Sequence, residues 1–183
     1  MANTWLAYAA GVTHLAGNRT YLQIFATASN TQTIKIRRIW MNNAQATGVT
    51  GVITGSISIG SFSTAASGGT LTTITPVAYD TTNTAVNANI TINTGGTGTT
   101  NTNGTAVNVF RTIPYSSEEP ATGTFKLENF YANPSMSIIW DAGYEDTAID
   151  PLTIPASTAG GIAVYGTLTA VGNTDCAIEF TLE

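Results

Sequence analysis

Polar and apolar residues alternate in short runs along most of the chain. Successive side chains of a strand point to opposite faces, so an alternating run predicts one buried face and one solvated face. Residues 176–182 set Cys176, Ile178, Phe180 and Leu182 against Ala177, Glu179 and Thr181. Residues 161–170 set Ile162, Val164, Gly166 and Leu168 against Ala163, Tyr165, Thr167 and Thr169. Within 49–62, alternation from Ile53 puts Ile53, Gly55, Ile57 and Ile59 on one face and small polar residues on the other. Residues 33–41 predict the strongest strand, with Ile34, Ile36 and Trp40 facing one way and Lys35, Arg37, Ile39 and Met41 the other. Strict alternation then puts Arg38 on the apolar face. Either a β-bulge between Arg37 and Arg38 resets the register, or Arg38 sits at the core edge and pairs with a carboxylate. The bulge is the preferred solution.

Further strands are expected at 21–28, 71–78, 90–92, 107–113, 123–130 and 137–140. Pro76 breaks the second of these, which suits an edge strand or a strand end. Residues 29–31 and 67–69 read as turns, 93–103 as a long exposed Thr/Gly/Asn loop, 114–123 as a loop and 141–155 as irregular. Residues 1–20 lack clean periodicity and are expected to form an N-terminal arm, with 21–183 as the folded domain. Eight to ten strands without a helix of three turns predict an all-β protein, an antiparallel β-sandwich of jelly-roll-like form. No fixed repeat supports a propeller or solenoid.

Composition sharpens this picture. Charged residues are 9% of the 183 residues, against about 25% in ordinary soluble domains, so the strands carry few of the charges that normally guard a sheet edge. The polarity comes from Ser, Asn, Gly and above all Thr, about a fifth of the chain and a good residue for a solvated strand face. Sparse charge implies that neighbouring subunits cover edges or faces. The net charge of −5 and pI near 4.6 argue against nucleic acid as a partner. No polybasic or amphipathic segment favours a membrane surface, and no apolar run approaches the ~20 residues of a spanning helix. The first twelve residues lack a basic region and a long apolar stretch, so synthesis and folding in a cytoplasm are expected.

Candidate chemistry is thin. His14 is the only histidine, no nucleophile-elbow sequence surrounds a serine, and Cys176 has no basic neighbour to activate it and reads as a buried, inert thiol. The Gly-rich stretches at 68–69, 95–98 and 160–161 lack a following Lys-Ser/Thr or a helix, so phosphate binding is unsupported. Asp141, Glu145, Asp146 and Asp150 concentrate acidic oxygens in one loop. Calcium ligation or a glycosidase-like carboxylate pair there is conceivable, and a solvated loop is the plainer reading. No catalytic residue, metal or cofactor is therefore expected, and the protein reads as non-enzymatic. Trp40 and Trp140 each end an apolar strand and suit packing better than sugar stacking. Aromatic residues on such an arm can either tuck onto the parent domain or grip a neighbouring subunit; an arm has no core of its own, so Trp5, Leu6, Tyr8 and Leu15 are the candidate partner contacts. Glu118 and Glu119, ahead of Pro120, form a solvated turn that could meet a basic patch on a partner.

Three stretches resemble a known class. They are Lys35–Asn43 (KIRRIWMNN) with 51–59, then 65–70 (AASGGT) with 75–83 (TPVAYDTTN), and 151–164 (PLTIPASTAGGIAV) with 172–175 and 179–181. Together these resemble small virion structural proteins of tailed bacteriophages, built as one β-sandwich and found as head-decorating, cementing or spike components. The resemblance covers residues 33–183. It implies a capsid decoration protein of the virion, homo-oligomeric and often trimeric, docked on the major capsid protein, with no catalytic residues. The alternative is a tail or spike module that binds a host-surface glycan or protein, with 93–103 as its reading loop.

Overall fold

The structure, a computed structural model, describes residues 3–14, 17–44, 53–68, 70–83, 85–97, 104–117, 137–142 and 150–183. Among them are twelve strands and no helix: β1 (Asn3–His14), β2 (Gly17–Ala26), β3 (Ile34–Asn43), β4 (Ile53–Phe62), β5 (Thr70–Thr73), β6 (Val77–Ala78), β7 (Ile90–Thr97), β8 (Ala106–Ser117), β9 (Ser137–Asp141), β10 (Leu152–Ile154), β11 (Gly160–Leu168) and β12 (Gly172–Leu182). They form two antiparallel six-stranded sheets, a β-sandwich. The first runs β10-β3-β12-β1-β6, with β9 also paired to β3; the second runs β5-β7-β2-β11-β4-β8. The pairing is nested along the chain. β1 pairs with β12, β2 with β11, β3 with β10, and β4 with β8.

The alternating runs build the core between the sheets. β12 supplies Cys176, Ile178, Phe180 and Leu182, β4 supplies Ile57 and Ile59, and β11 supplies Ile162, Val164 and Leu168, all buried. Each such aliphatic or aromatic side chain contributes roughly 1.5–3 kcal/mol by leaving water.

The sandwich departs from the sequence reading at several points, each with a local cause. Residues 3–14 are not an arm: β1 lies inside the first sheet between β12 and β6. A bulge between Ala9 and Val12 resets its register, with Gly11 in the left-handed region at φ 59°. The extra residue breaks the alternation that would have marked the strand. In β3 the register against β12 also shifts, from Arg38 opposite Glu179 to Ile36 opposite Phe180, so the bulge falls at Arg37. It turns Ile39 and Met41 inward with Ile34 and Ile36, and leaves Trp40 half-buried on the outer face. Arg38 also pairs with Asp141, Nε to Oδ1 at 3.1 Å.

Residues 71–78 belong to two sheets. β5 edges the second and β6 the first, with Pro76 in the crossing. The stretch 93–97 is not loop but the end of β7, held by β2 and β5. Its Gly and Thr residues pair through the backbone, which a side-chain pattern does not reveal. β8 likewise runs through Pro114 to Ser117, a proline tolerated where β8 pairs only β4 among the described residues. Within 141–155, Leu152–Ile154 form β10. The strand expected at 123–130 lies outside the described residues.

Candidate functional site

Charge divides the two sheets. On the first, β3 carries Lys35, Arg37 and Arg38, β9 carries Asp141, and β12 carries Asp175 and Glu179. On the second, the six strands carry Arg19 and Arg111 alone. Arg19 is buried and donates from Nη2 to the Gly95 carbonyl at 2.9 Å; loss of hydration lowers its pKa. Arg111 pairs with the inward Ile59 and donates from Nη1 to the Ile139 carbonyl of β9 at 3.0 Å, bridging the sheets. The described outer face of the second sheet is therefore free of charge.

Cross-strand registers lay out that face. Tyr165, Ser58 and Thr112 form one row, Ala163, Gly60 and Val109 the next, and Gly161 pairs Phe62 in a third. Ser58 and Thr112 share a hydroxyl–hydroxyl hydrogen bond at 2.9 Å. Phe62 meets the Tyr165 ring edge-on, with centroids 5.2 Å apart. A Cβ on Gly60 would stand 3.2 Å from Tyr165 Cε1 and 2.8 Å from the Asn108 carbonyl oxygen, so the tyrosine ring lies where a side chain at 60 would go. These positions are uncharged, and Ser58, Gly60, Phe62 and Ala163 are buried.

At the margin of this sheet, β8 pairs only β4 among the described residues. Its register slips twice, opposite Ile59/Gly60 and opposite Ser61/Phe62. Val107 and Phe110 are the extra residues, with no partner on β4. Val107 is 60% exposed, Val109 55% and Phe110 41%. Large apolar side chains exposed this close together mark an interaction site more often than isolated ones do.

The outer face of the first sheet is polar and self-satisfied. Tyr8 donates its hydroxyl to Asp175 at 2.9 Å, and the Gly11 amide donates to the other carboxylate oxygen at 2.7 Å, so Asp175 secures the β1 bulge. That bond is the main reason the Tyr8 pKa is raised. Tyr79 donates to the buried Glu179 at 2.6 Å; burial first, then this bond, pushes its pKa up to about 12. Tyr8 and Trp40 flank Ala177 in one cross-strand row. With Asn42 and Asp175 they line a depression of about 120 Å³, too shallow to enclose a water molecule.

The expected contact residues scatter. Trp5 is a core residue, 4% exposed, because β1 sets it opposite Phe180 and Ala78. Leu6 is half-buried opposite Val77, and Tyr8 is exposed. Leu15, Glu118 and Glu119 lie outside the described residues, as do Glu145 and Asp146. Asp141 is paired with Arg38, and Asp150 is exposed. Among the described residues, no three His, Cys, Asp or Glu come together in a way that could hold a metal ion, and no helix is long and apolar enough to cross a membrane. Sequence reasoning missed Val107, Val109 and Phe110 as a surface. The adjacent pair Val109-Phe110 interrupts alternation and was the available sign of a bulge.

No protein-family model, curated protein or solved structure matches the chain.

Proposed function

We propose that the chain is a structural component of a tailed-phage virion, a non-enzymatic module that decorates or cements the capsid through contacts with its own copies and with the major capsid protein. The observation that carries this reading is the cluster of exposed apolar side chains Val107, Val109 and Phe110 on β8, in a sheet whose described strands carry only two charged residues. A stable contact covers ~800 Å² per partner, and repetition over a lattice adds avidity that one contact lacks. The nested strand pairing supports the jelly-roll form of the fold: β1-β12-β3 with β9 and β10, and β2-β11-β4-β8, is the order of an antiparallel ribbon rolled into two sheets. Viral capsid and lectin domains use that architecture, an analogy of fold and not of site. The test is to tag the chain with gold and image the particles with which it sediments. Label at regular positions on a capsid is expected. A chain that never sediments with particles overturns the proposal.

A second reading, a module that binds a host-surface glycan, is favoured by one feature: Tyr8 and Trp40 beside Asp175 and Asn42, aromatic faces next to polar groups. Binding on a glycan array that is lost in Trp40→Ala would establish it; an array with no binding would dispose of it.

A further inference from the structure

We infer that the outer face of the first sheet binds a neutral oligosaccharide, laid across the strands along the row Tyr8, Ala177, Trp40 and Ile138. The inference rests on the glycan-binding reading above and names its ligand and the direction in which that ligand lies.

Three ladders build the row. Tyr8 of β1 stands opposite Ala177 of β12, Ala177 opposite Trp40 of β3, and Trp40 opposite Ile138 of β9. Neighbouring strands lie about 5 Å apart, so the row runs about 15 Å, longer than one sugar ring. Tyr8 is 46% exposed, Ile138 is 52% exposed, and Trp40 is half-buried. Ala177, set between the two aromatic residues, is fully buried. The depression above it is shallow, so a ligand lies on the face and does not enter a pocket.

The groups beside the row select the ligand. Asp175 and Asn42 form the next outward pair of β12 and β3. Asp175 is held in place by the Tyr8 hydroxyl at 2.9 Å and the Gly11 amide at 2.7 Å, one on each carboxylate oxygen. Each oxygen keeps a further lone pair for a ligand hydroxyl, and Asn42 adds a donor and an acceptor. On the other side of the row Glu179 pairs Arg38 across the ladder. Charged and amide groups therefore flank the aromatic residues on both sides. The centre of a protein–protein interface is depleted of charge. A sugar ring instead offers C–H faces, which stack on aromatic faces, and hydroxyl edges, which need donors and acceptors beside them. Among the described residues Asp175 has no basic partner. Its charge opposes an acidic sugar, so the ligand is neutral.

The experiment uses the purified full chain and isothermal titration calorimetry. The probes are short oligomers of glucose, galactose and mannose, each beside the oligomer of the matching uronic acid. Neutral oligomers are expected to bind more tightly than acidic ones and than the monosaccharides. Trp40→Ala and Tyr8→Ala should each weaken binding by roughly tenfold or more. Trp40→Phe, which keeps a ring, should retain most of it and guards against misfolding. Asp175→Asn should narrow the preference for neutral over acidic oligomers, a change that loss of folding would not produce. Phe110→Ala, on β8 of the other sheet, is the control and should bind as wild type does. A preference for acidic oligomers, a preference unaltered in Asp175→Asn, or an equal loss in Phe110→Ala overturns the inference. Any of these beside array binding that depends on Trp40 would leave the glycan reading standing. A chain that binds no saccharide removes both, and capsid labelling tests the virion reading independently.

Discussion

Tyr79→Phe removes a single oxygen and tests how the outer face of the first sheet is fastened. The hydroxyl donates at 2.6 Å to Glu179, whose side chain is buried on β12. The Tyr79 amide donates to the Thr4 carbonyl at 3.0 Å, so the residue ties the segment after β6 to the sheet. A hydrogen bond to a charged acceptor contributes ~1.5–3 kcal/mol. Tyr79 is 56% exposed, which places it at the low end, about 1.5 kcal/mol. With a urea slope of about 2 kcal/mol per molar, the midpoint should fall by about 0.7 M at pH 8. The difference should depend on pH in one direction. Below pH 10, the phenol's ordinary pKa, it stays protonated in both folded and unfolded chains, and the stabilisation is fully present. Between 10 and about 12 the unfolded chain loses the proton first, so stability falls as pH rises. The gap between wild type and Tyr79→Phe should therefore narrow from pH 9 to pH 11.5 in urea titrations followed by tryptophan fluorescence. Equal midpoints at pH 8, or a gap that widens with pH, would refute the reasoning.

Three further outcomes are expected. Ile178→Ala, at a fully buried position of β12, should lower stability by about 2–5 kcal/mol through lost transfer energy and a residual cavity, read as a lower urea midpoint with an unchanged slope. Gly161→Ala should lose about 1–3 kcal/mol, since its Cβ would stand 2.6 Å from the Ile24 carbonyl oxygen and 3.2 Å from Phe25 Cα; thermal unfolding by circular dichroism measures it. Burial raises the pKa of the Cys176 thiol well above its ordinary value, so iodoacetamide at pH 8 should label the native chain negligibly and the urea-unfolded chain fully, as read by mass spectrometry.

The aliphatic alternation at Ile57, Ile59, Ile162, Val164, Ile178 and Phe180 announced both the all-β class and the residues that meet between the sheets. It did so because burial of one strand face is a local demand on every second residue. The bulge beside Arg38 was legible for the same reason, since a charged side chain on an apolar face signals a register that has to change. The candidate surface was legible only as composition. Sparse charge suggested that partners cover a face, without indicating which one.

What the sequence determined by itself was the strand periodicity, the core-facing set on β4, β11 and β12, and the scarcity of charge. Tertiary structure alone decided that Trp5 is core, that Trp40 faces out, and that among the described strands most charges gather on the first sheet while the second carries only Arg19 and Arg111. Side-chain period is a property of each strand, whereas the neighbours of a strand come from distant parts of the chain. β1 meets β12 across nearly the whole sequence, and one inserted residue in a ladder reverses every side chain beyond it.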